Sequence, residues 1–158
     1  MWPRDPDEFI PNHVMPDGAD HDDALYFVFM RGELTCKTEQ GVPAPINAAD
    51  YRWFDVESQS KHFLGHHGSV PCFALKAKGS VPEGYSSVPL RALLGRTSQT
   101  LFYLAGRAQQ VVEWYETHQF CGRCGSKMVL HAQDRAMTCE NWRSKASLYR
   151  WRDFARAV

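Results

Sequence analysis

An amphipathic helix that runs straight into a cysteine knuckle limits what this chain can become. Residues 101–125 read LFYLAGRAQQVVEWYETHQFCGRCG. Apolar side chains fall at Leu101, Leu104, Ala105, Ala108, Val111, Val112 and Tyr115, the spacing that places one stripe on one helical face. Gly95 breaks the chain beforehand, and the Thr97/Ser98 pair offers a hydroxyl to the helix's first N–H groups. His118 falls in the last turn or just past it, where positive charge suits the carbonyl end of the dipole. Cys121 and Cys124 follow at once. Their spacing lets a single tight turn aim both sulfurs at one metal, with Gly122 and Gly125 permitting the bend. A redox Cys-x-x-Cys pair would open a helix after a strand. This one closes a helix, which favours metal.

A structural zinc site takes four ligands, usually from two facing knuckles. Residues 128–138 suit a hairpin, and Cys139 arrives as a third ligand with fourteen residues between it and Cys124. The fourth ligand position is residue 142, and it holds Trp142, whose indole N–H only donates. Two outcomes stay open. Zn2+ is held by Cys121, Cys124 and Cys139 with His131, His118 or a water closing the site, or the site is weak or empty.

The stretch LAGRAQQVVEWYETHQFCGRCGSKM resembles the zinc-ribbon entry of the NADH pyrophosphatases, a branch of the Nudix hydrolases. The resemblance runs from about Leu90 to Asn141, extends more faintly from about Ala24 to Pro89, and stops after Trp142. It implies an N-terminal α/β domain joined by the helix to a four-cysteine ribbon, then a Nudix catalytic domain. It further implies a homodimer formed through the N-terminal domain or the long helix. Tyr103 and Trp114 are the candidate contacts there, with a plain core role as the alternative. The implied reaction converts NAD(H) and water to NMN(H) and AMP, and also removes NAD caps from RNA.

In that family the motif G-x5-E-x7-R-E-U-x-E-E-x-G-U, with U a bulky aliphatic residue, gathers acids on one helix to bind Mg2+ or Mn2+. This chain has eight Glu, no two of them adjacent, and its nearest helical pair, Glu113 and Glu116, is flanked by aromatics. No catalytic residue carries over, and Mg2+ or Mn2+ would belong to a catalytic domain absent from these residues. The expectation is a non-catalytic front part of such an enzyme, inactive alone, read from a truncated or frame-shifted gene or from a short protein keeping this half. The alternative is a stand-alone zinc-binding interaction module with weak nucleic-acid contact.

Composition narrows the class further. With 44% hydrophobic and 13% aromatic residues in 158, the chain can build a core. A formal net charge of zero argues against a nucleic-acid coat protein. The charge is uneven: residues 1–30 hold seven acids against Arg4 alone, and residues 122–158 hold eight Lys/Arg against three acids. Such runs usually form solvated surface. No apolar run approaches the roughly 18–20 residues that cross a membrane. The acidic N-terminus has no apolar targeting core, and five cysteines with three in one cluster suggest no disulfide framework. A reducing, cytoplasmic setting without a membrane partner is expected.

The expected organisation is α+β: a small N-terminal mixed sheet with flanking helices, the long amphipathic helix, then an incomplete zinc ribbon. Residues 1–23 read as a loose acidic leader, 24–117 as the α+β domain, 118–142 as the ribbon and 143–158 as an aberrant basic tail. Within the domain, strands are expected at Ala24 to Met30, Glu33 to Lys37 and Val70 to Ala77, with Cys36 and Cys72 as small core residues. Residues 41–49 and 78–89 read as connections, 51–56 as a short ordered segment, and 90–94 as one or two helical turns. His62, His66 and His67 lie in a polar stretch where Gly65 and Gly68 disfavour a helical metal site. In the tail, Leu148, Trp151 and Phe154/Ala155 suit a short amphipathic helix.

Overall fold

A computed structural model describes residues 8–15, 23–39, 42–141 and 148–150. The larger sheet contains β1 (Phe9–Pro11), β2 (Leu25–Met30), β3 (Glu33–Glu39), β4 (Val42–Ala44), β5 (Ile46–Asn47), β6 (Asp55–His67), β7 (Val70–Lys78) and β8 (Ser86–Val88). A short helix α1 (Ala48–Tyr51) precedes β6, and a 3-10 turn at Leu90–Leu93 precedes the long helix α2 (Gln99–Thr117). A second sheet follows, made of β9 (Met128–Leu130), β10 (Ala136–Cys139) and β11 (Leu148–Arg150). The fold is mixed α and β with one long helix, as expected, while the sheet, expected to be small, is eight-stranded. Two compact units divide within α2, after Val112.

In the first unit the strand order is β1-β6-β7-β2-β3-β4, with β5 added to β2 and β8 to β3. The β2–β7 pair is parallel and its neighbours are antiparallel, so the sheet is mixed. The near-continuous apolar run of β2 has a direct cause: both of its faces are covered. Tyr26, Val28 and Met30 enter a core with Ile46, Phe54, Phe63, Phe73 and Leu75. On the opposite face, Phe27 and Leu34 share an apolar lining with Leu93, Leu101 and Ala105. Within this unit, Leu104, Ala105, Ala108, Val111 and Val112 of α2 are buried, matching the stripe read from the sequence.

Local chemistry explains the element ends. Ser98 caps α2, its Oγ accepting from the Leu101 N–H at 3.2 Å. Arg31 and Gly32 both have positive φ, 52° and 83°, and join β2 to β3 with Met30 paired to Glu33. Those signs belong to a two-residue type I′ hairpin turn, whose twist matches that of the strands it joins. Asn47 caps α1 by accepting from the Asp50 N–H at 2.9 Å.

Four expectations are corrected here. Phe9–Pro11, read as part of a loose leader, pairs with Gly65 to His67 of β6. Residues 41–49 and 78–89, read as connections, contribute β4, β5 and β8, because open edges of β2 and β3 accept short strands despite their prolines. The polar histidine stretch is a strand: β6 runs from Asp55 to His67 and pairs along β7, with irregular register between Val56/Lys61 and Phe63/Gly65. Buried Ser60 serves the first irregularity, its Oγ 2.8 Å from the Glu57 carbonyl and 3.1 Å from that of Lys76. Finally, Leu148, expected in a helix, begins β11, which pairs antiparallel with β10 and supplies the backbone partners that β10 needs on that side. Residues 151–158 of the expected tail helix lie outside the described residues.

Gly65 shows how tightly β1 is fitted. Its φ is 129°, and a Cβ there would stand 2.1 Å from the Ile10 carbonyl oxygen and 2.7 Å from the Asn12 nitrogen. Both obstacles are backbone, so no rotamer change relieves them. Gly65→Ala is expected to cost about 1–3 kcal/mol in strain and to release β1 from β6. Hydrogen exchange reads this directly: the Asn12 amide, bonded to the Leu64 carbonyl at 3.0 Å, should lose protection while β2 keeps its own. Unchanged protection at Asn12 would refute the steric account.

Candidate metal centre

Helix α2 delivers the chain to the knuckle through a defined end. The His118 N–H bonds the Trp114 carbonyl at 3.2 Å, and His118 Nδ1 donates to the same oxygen at 2.8 Å. This is the helix-end role that the sequence position implies. Trp114, considered as a contact residue, is fully buried and lies against the His118 ring at 6.0 Å between centroids; its role is core. Tyr103 is 63% exposed.

The knuckle is a tight turn closed by three backbone hydrogen bonds. The Cys121 N–H donates to the Ser126 carbonyl at 2.8 Å, Gly125 N–H to the Cys121 carbonyl at 2.8 Å, and Met128 N–H to the Gln119 carbonyl at 2.8 Å. Gly125 adopts φ 70°, which a side chain would resist, although a Cβ would meet nothing within 4 Å. Across from the knuckle, β9 and β10 pair with Cys139 opposite Met128. The hairpin is where the sequence spacing places it, and it returns the third sulfur to the first two.

Among the described residues, Cys121, Cys124 and Cys139 form the one group of three or more metal-ligand side chains, with ligand atoms all within 4.8 Å of one another. Cys124 Sγ and Cys139 Sγ are 3.5 Å apart. Zinc–sulfur bonds of about 2.3 Å in a tetrahedron separate sulfurs by about 3.8 Å, so the cluster fits a zinc ion. Cys121 and Cys139 are buried and Cys124 is exposed.

The surroundings favour a thiolate at Cys124. Hydrogen bonds from the Ser126 side chain and backbone, then from Cys139, lower its pKa to about 7. Desolvation, then the bond to Cys124, pushes Cys139 up. Asn141 Nδ2 donates to Ser126 Oγ at 2.6 Å, which turns that hydroxyl's own proton toward Cys124. Ser126 and Asn141 were not singled out in the sequence. The signal was there in their spacing, each two residues beyond a cysteine, where a metal turn places its hydrogen-bonding shell.

The two histidines considered as a fourth ligand do not join the cluster. His118 is turned to its helix end, and His131 Nδ1 accepts the N–H groups of Gln133 and Asp134 at 3.3 and 3.1 Å. Trp142, at the fourth-ligand position, lies outside the described residues. His62, His66 and His67 sit on β6, with the His66 ring edge-on to Phe63 at 5.2 Å. Asp55 and Glu57, on the same strand, are exposed, and Glu57 pairs with Lys78. Cys36 and Cys72 are buried, as expected, and donate to the carbonyls of Ser86 and Val70. No helix among the described residues is long and apolar enough to cross a membrane.

Comparison with known proteins agrees with this geometry. Residues 23–114 match the family described as NADH pyrophosphatase-like rudimentary NUDIX domain, and residues 116–141 match the NADH pyrophosphatase zinc ribbon domain. The NAD-capped RNA hydrolase NudC of Deinococcus radiodurans is 34% identical over 134 residues, covering 85% of this chain and 44% of that protein. The enzyme of the same name from Pseudomonas syringae pv. tomato is 36% identical over 91 residues, 57% of this chain and 33% of that protein. That from Erwinia tasmaniensis is 43% identical over 68 residues, 43% of this chain and 25% of that protein. The chain therefore spans less than half the length of these curated relatives. Matched over most of its length by a domain and a ribbon that follow one another, this chain belongs to the NADH pyrophosphatase-like family of Nudix proteins.

Proposed function

We propose that these residues form the non-catalytic, zinc-binding part of an NADH-pyrophosphatase-type hydrolase. Cys121, Cys124 and Cys139 hold the zinc, and pyrophosphate cleavage belongs to a Nudix catalytic segment. The observation that carries this reading is the three-sulfur cluster inside the matched ribbon. When bound, zinc supplies a cross-link that ties the knuckle to β10. The chain's own residues do the rest: Ser126 and Asn141 orient the thiolate, and α2 fixes where the ribbon begins. The reaction proposed for the complete enzyme is hydrolysis of NAD(H) to NMN(H) and AMP, including NAD caps on RNA, which is consistent with the names of the relatives.

These 158 residues are inactive by themselves on this reading, since the acids that would collect Mg2+ or Mn2+ are not among them. Incubation with NADH and Mg2+ or Mn2+ should release no NMNH, while elemental analysis should find one zinc per chain. Metal-dependent NMNH release would overturn the first statement, and purified chain without zinc the second. A cytoplasmic setting, and a homodimer through the N-terminal domain or α2 with exposed Tyr103 in the contact, complete the proposal. Light scattering of the wild type against Tyr103→Glu checks the dimer, and a monomeric wild type would sink it.

A further inference from the structure

We propose that the three-cysteine cluster is also an oxidation site for a hydroperoxide: Cys124 takes the oxygen, Cys139 closes a disulfide onto it, and the site gives up its zinc. The inference rests on zinc binding at Cys121, Cys124 and Cys139, and it uses these three side chains alone.

Exposure and distance divide the roles. Cys121 and Cys139 are 3% and 2% exposed, whereas Cys124 is open to solvent, so a small oxidant in solution meets Cys124 first. Coordination holds a sulfur as thiolate, the form that attacks an oxidant. Cys139 Sγ stands 3.5 Å from Cys124 Sγ. A disulfide needs about 2.0 Å, so the two sulfurs have a gap of roughly 1.5 Å to close. An exposed thiolate beside a resolving cysteine is the arrangement on which reversible thiol oxidation depends. The other two cysteines, Cys36 and Cys72, are fully buried and donate to the carbonyls of Ser86 and Val70. They are internal controls that should not react.

The chemistry balances with the peroxide as the oxidant. The Cys124 thiolate attacks one peroxide oxygen, the O–O bond breaks, and hydroxide departs, leaving a sulfenic acid on Cys124. The Cys139 thiolate then attacks that sulfur, the S–O bond breaks, and a second hydroxide departs. Both hydroxides take protons from buffer and end as water. Two thiolate ligands are consumed, and Cys121 alone cannot retain the ion. A dithiol reverses the change by exchange and is itself oxidised to its disulfide.

Oxidation differs from chelation in what it leaves behind. Cys124 lies in the knuckle, and Cys139 lies on β10 opposite Met128 of β9. The new bond joins knuckle to strand, as the metal does, across fourteen intervening residues, and so restrains the unfolded chain. The oxidised ribbon therefore keeps its β9–β10 pairing without metal.

The test uses the full chain, purified with zinc, freed of reductant and treated with hydrogen peroxide. Zinc released to a chromogenic chelator should reach about one ion per chain. Peptide mapping should find Cys124 joined to Cys139, with Cys36, Cys72 and Cys121 still open to alkylation after unfolding. Dithiothreitol with added Zn2+ should restore the starting state. The His131 amide, bonded to the Ala136 carbonyl, should stay protected in the oxidised chain. Loss of that protection in the disulfide-linked form overturns the restraint. A disulfide between Cys121 and Cys124, or between two chains, overturns the role of Cys139. Zinc retained under peroxide that oxidises free cysteine in the same tube overturns the oxidation site and leaves zinc binding intact. A chain that neither carries zinc nor takes it up overturns the zinc reading and this inference together.

Discussion

Phe73→Ala is expected to destabilise the N-terminal unit by about 3–5 kcal/mol, the range for removing a large aromatic side chain from a core. Phe73 is fully buried in β7, between the parallel neighbour β2 and the antiparallel neighbour β6. Its ring stacks on Tyr26 at 5.3 Å and tilts against Phe63 at 5.4 Å. The Lys61 ammonium stands 4.6 Å from its centroid and also 5.6 Å from the rings of Tyr26 and Tyr51. Truncation therefore opens a cavity at the meeting point of three strands and removes a face from the cation. Rigid backbone on both sides prevents collapse into the space. Urea unfolding followed through the exchange of β2, β6 and β7 amides measures the loss. Trp53→Ala, at a site 67% exposed, is the control and should stay within about 0.5 kcal/mol. A loss below about 1 kcal/mol at Phe73 would mean that this core is not organised around the β7 ring.

The elements that could be read from the sequence are those whose own pattern decides their structure. The near-continuous apolar run Ala24 to Met30 reads as a buried strand, and α2 announced its stripe, a cap at Thr97/Ser98 and its end near His118. The elements that escaped are those that exist by pairing. β1, β4, β5 and β8 have three, three, two and three residues, too short for any periodicity to show. They form because β2, β3 and β6 present unpaired backbone, a property of the partner strand. The same reasoning covers Leu148, whose apolar spacing with Trp151 looked helical while β10 offered an edge. Gly65 was read as a helix breaker; its actual cause, the approach of Ile10 backbone, is a long-range fact.

The three-cysteine cluster divides the same way. Cys121, Cys124 and Cys139 were legible because a knuckle, a hairpin length and a return cysteine together leave few other arrangements. What closes the site was not legible, since His118 and His131 stand at plausible distances along the chain. Only hydrogen bonding shows that one ring is spent on the end of α2 and the other on the turn after β9. Trp114 carries a similar lesson: its place on α2 is equally compatible with a contact face and with a core, and burial decides.

Removing the metal is expected to unfold the ribbon and leave the N-terminal unit folded. The buried side chains from Gln119 to Asn141 are Cys121, Met128, Ala136, Met137 and Cys139, two of them ligands and one an alanine. So small an apolar set cannot offset the backbone entropy of ordering the knuckle and hairpin, each residue costing about 1–2 kcal/mol. Structural zinc contributes on the order of 10–16 kcal/mol of apparent binding energy in small metallo-domains, and three ligands should yield less. Even a fraction of that decides whether the β9–β10 pairing persists. Chelation, or Cys121→Ser, should therefore strip protection from the His131 N–H, which donates to the Ala136 carbonyl at 2.8 Å, and open residues 121–139 to protease. The β2 and β7 amides should not change, because the core of Tyr26, Phe63, Phe73 and Leu75 contains no ligand. If the chelated protein loses its metal yet keeps its β9–β10 protection, the hairpin stands on its own contacts and zinc is not what folds it. If β2 loses protection as well, the two units unfold as one, and the ribbon would be part of the same cooperative structure as the sheet.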